Sequence, residues 1–215
     1  MRIAIDVNGV LRDTIGKFTQ LYEKHLIENY QDEFVNVETF ELDNSGNTEL
    51  QLTKPFKYEI LSDVNSLNLK KHFAFQSDEE LYDFMYREFP MQIFGHAGST
   101  EISSMNDLND FYLDFRESHD MLIVSDEIGK SKPATLFFLS KFGCLLEKIK
   151  FFSNSTQNSL WDELDILLTA NPDLLLNYPK NKLIIKFETS YNEEIKTEHS
   201  ISSFKEFKNI IKNLN

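Results

Sequence analysis

A chain of 215 residues, 41% hydrophobic with 19 Phe but only seven Gly and five Pro, has material for one ordinary domain or for a core with an inserted subdomain, and excludes fibrous and low-complexity classes. Its formal net charge of -13 and pI near 4.8 set up a field that repels phosphate backbones, so nucleic acid is not an expected partner. The single cysteine, Cys144, allows no intramolecular disulfide and suits the cytoplasm, and no apolar stretch approaches the roughly 20 residues that span a bilayer.

The first element is RIAID (2–6), read as a buried strand; Asp6 closes the run at once, too soon for the core of a secretion signal. From about residue 12 to 118 the chain changes character, with helical spacing over 15–28, 79–88 and 107–117 joined by irregular sequence. The acidic middle of this stretch carries the turn signal Asn44-Ser45-Gly46 and is expected to be a hairpin or a mobile loop. Four more apolar runs follow, MLIVS (121–125), KIKFF (148–152), DILLT (165–169) and KLIIKF (182–187), alternating with helical patterns over 133–142 and 159–164 and followed by one over 203–214. Strand and helix in alternation predict an α/β fold with a Rossmann-like, mostly parallel, five-stranded sheet. Residues 1–14 and 115–215 are expected to form its core, and 15–114 an inserted, mainly helical subdomain.

Side chains at the C-terminal ends of parallel strands line the ligand crevice of such sheets, and the first strand delivers Asp6 there. Asp6-Val7-Asn8-Gly9-Val10-Leu11 resembles the first motif of the haloacid dehalogenase-like (HAD) phosphatases, Asp-x-Asp-Gly-(Val/Thr)-Leu, and Arg12-Asp13-Thr14 extends the likeness. The resemblance implies that Asp6 is the nucleophile that forms an aspartyl-phosphate. It also implies that the residue two places on protonates the leaving group and later activates water. Here that residue is Asn8, whose amide can hydrogen-bond but cannot transfer protons. Acid–base assistance is typically worth about 10²–10⁴-fold, so this change alone implies a slow enzyme rather than an inert one.

The family's second motif, a strand ending in Ser or Thr that binds the phosphoryl group, is matched by Met121-Leu122-Ile123-Val124-Ser125. Its third is a Lys and its fourth an acidic pair that holds Mg²⁺ together with the nucleophile. Two alignments are open. In one, Lys132-Pro133 supplies the Lys, and Ser153 to Asn158 stands over the acidic segment, with Asn154 and Asn158 at the acidic positions. In the other, Leu167-Leu168-Thr169-Ala170-Asn171-Pro172 is similar to the segment of the 5′-nucleotidase branch, which includes small viral members. Thr169 and Ala170 then stand in the acidic positions, and this register respects the strand count better. Neither leaves a carboxylate there. Asp6 and the Asn8 carbonyl alone make a poor Mg²⁺ site, so Mg²⁺ is expected weakly or not at all.

The resemblance implies a HAD-fold, nucleotidase-like protein with a degenerate phosphatase site, serving as a binding or structural module. Its insertion would correspond to the helical C1 cap, and a small phosphorylated ligand is an expected occupant. Two other readings stand beside it: an active Mg²⁺-dependent phosphatase using Asp6, and an assembly component that meets a protein partner or a second copy through the insertion's aromatics. If the site is repaired from elsewhere, Asp126 and Glu127 after Ser125 are the candidates. Lys132 also reads as a solvated helix-start lysine. The five histidines show no metal-ligand spacing, and Trp161 with Leu160 and Leu164 reads as a helix face packed on the sheet.

Overall fold

The structure is a computed structural model describing residues 1–30, 39–42, 48–51, 64–153 and 155–214, with side chains for 1–25, 64–153 and 155–214. All five predicted apolar runs are strands: β1 (Arg2–Asp6), β4 (Asp120–Asp126), β5 (Ile149–Phe152), β6 (Ile166–Thr169) and β7 (Leu183–Phe187). A sixth, β8 (His199–Ile201), joins them, and the sheet runs β5-β4-β1-β6-β7-β8 with every pair parallel. Three residues with one buried side chain leave β8 no hydrophobic pattern of its own, which is why the sheet has six strands rather than the expected five.

Strand order reverses at β1, which pairs with β4 on one side (Ile3 opposite Met121, Asp6 opposite Val124) and β6 on the other (Ile5 opposite Leu168). Such reversals open a crevice beyond the carboxyl ends of the strands. Side chains alternate across the pleat. Ile3, Ile5, Ile123, Leu168 and Ile185 enter one buried layer with Leu108, Phe111, Phe138, Phe207 and Ile211; Ala4, Leu122, Val124, Leu167 and Ile184 enter the other with Leu160, Trp161, Leu164 and Leu174. Helices cover both faces, so the strands read as continuous apolar runs.

The helices are α1 (Thr14–Tyr30), α2 (Asp78–Tyr82), α3 (Ser104–Phe115), α4 (Ser131–Lys141), α5 (Gln157–Leu160), α6 (Pro172–Leu176) and α7 (Phe204–Asn213). Pro133 lies in the first turn of α4, where its missing N–H has no helical partner to lose. A capping box between Ser203 and Glu206 starts α7. Within the stretch read as an insertion, α3 packs on the sheet through Leu108, Phe111 and Phe115. The strands β2 (Thr39–Leu42) and β3 (Thr48–Gln51) pair antiparallel in the stretch where a hairpin or a mobile loop was expected; the turn signal between them lies outside the described residues.

Several aromatic residues of the insertion face inward, while Tyr82 is exposed. Phe18, Tyr22, Phe73, Phe84 and Phe94 form a third buried cluster with Leu69, Met85, Ile93 and Ala134 of α4. The helix predicted over 79–88 is α-helical only to Tyr82 and continues as a π-helical turn, Asp83–Glu88, followed after Pro90 by a second, Met91–Gly95. These wider turns carry Met85, Tyr86 and Phe94 to the crevice over β1. Among the described residues no helix is long and apolar enough to cross a membrane.

Candidate functional site

The loop after β1 turns sharply back on itself. Leu11 and Arg12 donate their amides to the carbonyl of Val7, and Gly9 adopts φ +77°, a conformation that disfavours a side chain. A Cβ at Gly9 would lie 2.0 Å from the Tyr191 hydroxyl and 2.8 Å from Ala170 Cβ, so the tyrosine that follows β7 seals the loop against the end of β6.

This turn lays Asp6 and Asn8 side by side and drives Arg12 into the interior, wholly buried. All five guanidinium N–H groups find acceptors. Nε donates to Thr14 Oγ1 (3.2 Å); one terminal nitrogen donates to Thr135 Oγ1 (2.7 Å) and the carbonyl of Phe94 (2.8 Å); the other donates to Asn8 Oδ1 (2.6 Å) and Glu127 Oε1. The Phe94 and Phe138 rings lie 5.1 and 5.4 Å from the guanidinium carbon. Burial pushes the guanidinium down from its ordinary value, opposed first by Glu127 and more weakly by Asp6.

Asn8 fits this knot as an amide. Its Oδ1 accepts from Arg12 and from Thr14 Oγ1 (2.7 Å), while its Nδ2 donates to Ser125 Oγ (3.3 Å). A carboxylate would lack that donor. Ser125 passes its own proton to Glu127 Oε1 (3.2 Å), so the hydroxyl expected to bind a phosphoryl group is fully buried with donor and acceptor both engaged inside the protein. Glu127 is 1% exposed, and Oε1 also accepts from Thr135 (2.8 Å); Oε2 has no hydrogen-bond partner.

On the other side stands Asp6, 1% exposed. Its Oδ2 accepts from Thr169 Oγ1 (2.7 Å) and its Oδ1 from the Asn8 amide (3.3 Å). Burial, with the neighbouring charge of Asp126, outweighs these bonds and raises Asp6 to about 7. Asp126, at the end of β4, rises to about 6 through burial and the charges of Glu127 and Asp173. Burial also raises the Tyr86 and Tyr191 phenols, keeping both neutral.

Thr169 ends the strand beside β1, whereas Ser153 follows β5 at the sheet edge, two strands from β1; Asn154 lies outside the described residues. The segment next to the nucleophile position is therefore Thr169-Ala170. Lys132 is exposed, its ammonium 5.7 Å from the centre of the Phe151 ring, and it does not line the crevice. The structure thus brings Asp6, Asn8 and Ser125 together and leaves Lys132 apart. Sequence reasoning assigned no role to Arg12 or Tyr191 and named Asp126 and Glu127 only as substitutes.

Over Asp6 lies a cavity of ≈ 380 Å³ between the strand ends and the insertion. Carboxylates of Asp6, Asp78, Asp126 and Asp173 line it, with Tyr82, Tyr86, Tyr191 and an apolar wall that includes Leu69, Leu81, Met85 and Phe94; among the described residues no Lys, Arg or His does. Asp78 pairs with Lys70 at 3.0 Å. The donor set does not fit Mg²⁺, the metal the resemblance implies. That ion takes six oxygens with carboxylate charge among them, yet the strand end beside Asp6 offers a hydroxyl already donated to Asp6 and a methyl group. Among the described residues no three His, Cys, Asp or Glu side chains are grouped to hold a metal ion.

No protein-family model matches the sequence, and no curated protein matches it. Among solved structures the chain is similar to a protein described as a haloacid dehalogenase-like hydrolase from Burkholderia xenovorans, with 8% identity, a TM-score of 0.55 and an alignment covering 99% of this chain and 96% of that one. At that identity the likeness shows the fold alone: the chain has a Rossmann-like α/β architecture of the HAD type.

Proposed function

We propose that this chain is a HAD-fold, nucleotidase-like protein whose phosphatase centre has been dismantled and whose cavity now serves to bind a small molecule. One observation carries the reading: beside Asp6 the sheet presents Thr169 and Ala170, neither of them a carboxylate, and the Thr169 hydroxyl is donated to Oδ2 of Asp6. Phosphoryl transfer depends on neutralising charge that builds on the phosphoryl oxygens. Among the described residues no carboxylate stands at the strand end beside Asp6 and no lysine lines this cavity to do so. A carboxyl that titrates near 7 is also a poor nucleophile at neutral pH, because much of it is protonated.

In this reading residues 15–114 form a cap over a core of 1–14 and 115–215, with α3 as the part of the insertion that packs on the sheet. A cytoplasmic setting agrees with the single cysteine. The likeness of Leu167 to Pro172 favours descent from the 5′-nucleotidase branch, with its small viral members.

The test is Mg²⁺-dependent hydrolysis of p-nitrophenyl phosphate and a panel of nucleoside monophosphates by the full chain, beside Asp6→Ala and Asn8→Asp. No turnover is expected in any of the three. Turnover in the parent that disappears in Asp6→Ala would replace this reading with that of an active phosphatase.

A further inference from the structure

We propose that the cavity over Asp6 takes a small organic cation, a protonated amine with an apolar body, rather than a phosphate ester. This rests on the preceding reading that the cavity is a binding site, and it names the class of ligand.

Charge decides against a phosphate. Among the described residues Asp6, Asp126 and Asp173 line the cavity without an ion-pair partner, and no cationic side chain shares the lining. Arg12, the nearest buried cation, is turned into the knot behind Asn8, where Glu127 matches its charge. An anion entering here meets the like charges of these carboxylates, and repulsion is strongest at Asp6, which is buried. A cation meets the missing counter-charge.

The cavity wall points the same way. Tyr82 and Tyr86 lie 5.2 Å apart between ring centres, and Tyr86 stacks on Phe94 at 5.4 Å, so consecutive aromatic rings run beside the carboxylates. Aromatic faces attract ammonium groups while the apolar wall accepts a hydrocarbon body. At ≈ 380 Å³ the cavity is at the small end of ligand sites, which run from about 300 to 1,000 Å³.

The test is isothermal titration of the full chain at pH 7.5 with 2-phenylethylamine, tyramine, putrescine and spermidine. The neutral analogue 2-phenylethanol and adenosine monophosphate are run beside them. At least one amine is expected to bind at least tenfold more tightly than 2-phenylethanol, and the nucleotide not to bind. Asp126→Asn should weaken that amine tenfold or more without moving the melting temperature by more than a few degrees, whereas Lys132→Ala should leave it unchanged. Absence of amine binding, equal binding of amine and alcohol, indifference to Asp126→Asn, or preference for the nucleotide would each overturn the proposal. If amines fail and the phosphatase assay is also silent, only the ligand class falls. Phosphatase turnover lost in Asp6→Ala removes the underlying reading itself.

Discussion

The two sides of the strand-end crevice are a few residues apart and electrostatically opposite. On one side Arg12 and Glu127 are fully buried and paired, and every guanidinium N–H has an acceptor. On the other, Asp6 and Asp126 have no ion-pair partner among the described residues, and both hold protons well above the ordinary carboxylate range. Adjacent residues of one strand end, Asp126 and Glu127, belong to different sides. The difference separates charge that organises the fold from charge that the fold must hold in place. Uncompensated buried charge costs stability, and such sites mark places where something else binds.

The largest expected effect breaks the paired side. Arg12→Met leaves Glu127 buried without its cation and strands Thr135 and the Phe94 carbonyl, so urea denaturation should show a loss of about 3–5 kcal/mol. Adding Glu127→Gln should recover part of it, because the orphaned charge is then gone; no recovery would mean that the packing of the guanidinium, not its charge, carries the effect.

Removing charge from the other side should do the reverse. Asp6 has a folded-state pKa of about 7, above the ordinary 3.8, so the folded chain holds the proton more tightly than the unfolded one. Its penalty is absent below about pH 4, grows as pH rises, and is complete above about pH 7. Asp6→Asn should therefore raise stability at pH 8 by roughly 2–4 kcal/mol and change it little at pH 4, read as melting temperature against pH. A parent profile flat from pH 4 to 8 would contradict an uncompensated Asp6.

The loop that separates the two sides comes next. Gly9→Ala places a methyl group against the Tyr191 hydroxyl at φ +77° and should destabilise by about 1–3 kcal/mol in the same denaturation assay. Tyr191→Phe in that background should relieve part of the loss. The smallest effect is Lys132→Ala. This exposed lysine touches only the Phe151 ring among cation and ring contacts, so a change within about 0.5 kcal/mol is expected.

Strands β1, β4 and β6 were legible because both faces of the sheet are covered, which makes each a run of mostly buried aliphatics. β8 was not, since only Ile201 of its three residues is buried. Nor were the π-helical turns after Tyr82, because their wider spacing comes from packing around Phe84, Phe89 and Phe94 rather than from a 3.6-residue pattern. At the site, Asp6 and Asn8 were visible in a contiguous motif. Arg12 belonged to the same motif, but its role depends on Glu127, 115 residues away. The one available signal was an arginine directly after Val10 and Leu11 in a loop leaving a buried strand, matched by a glutamate just past another strand end. The register with Thr169 and Ala170 beside Asp6 was one of two open in the sequence, favoured by the strand count, and the strand order places Thr169 there.

Arg12 donates at once to the Phe94 carbonyl in the insertion and to Thr135 on α4, so on that side one buried guanidinium is common to both layers. Elsewhere between the insertion and the core, next to Tyr191, the exposed hydroxyl of Ser190 donates to the carbonyl of Val64 at 2.9 Å. A door hung on edges of such unequal strength swings on the stronger and opens at the weaker. Traffic into the cavity is then expected past Val64 to Leu69, and hydrogen exchange should show the amides of 64–71 opening well before those of 84–95; uniform exchange across both stretches would remove the hinge from Arg12.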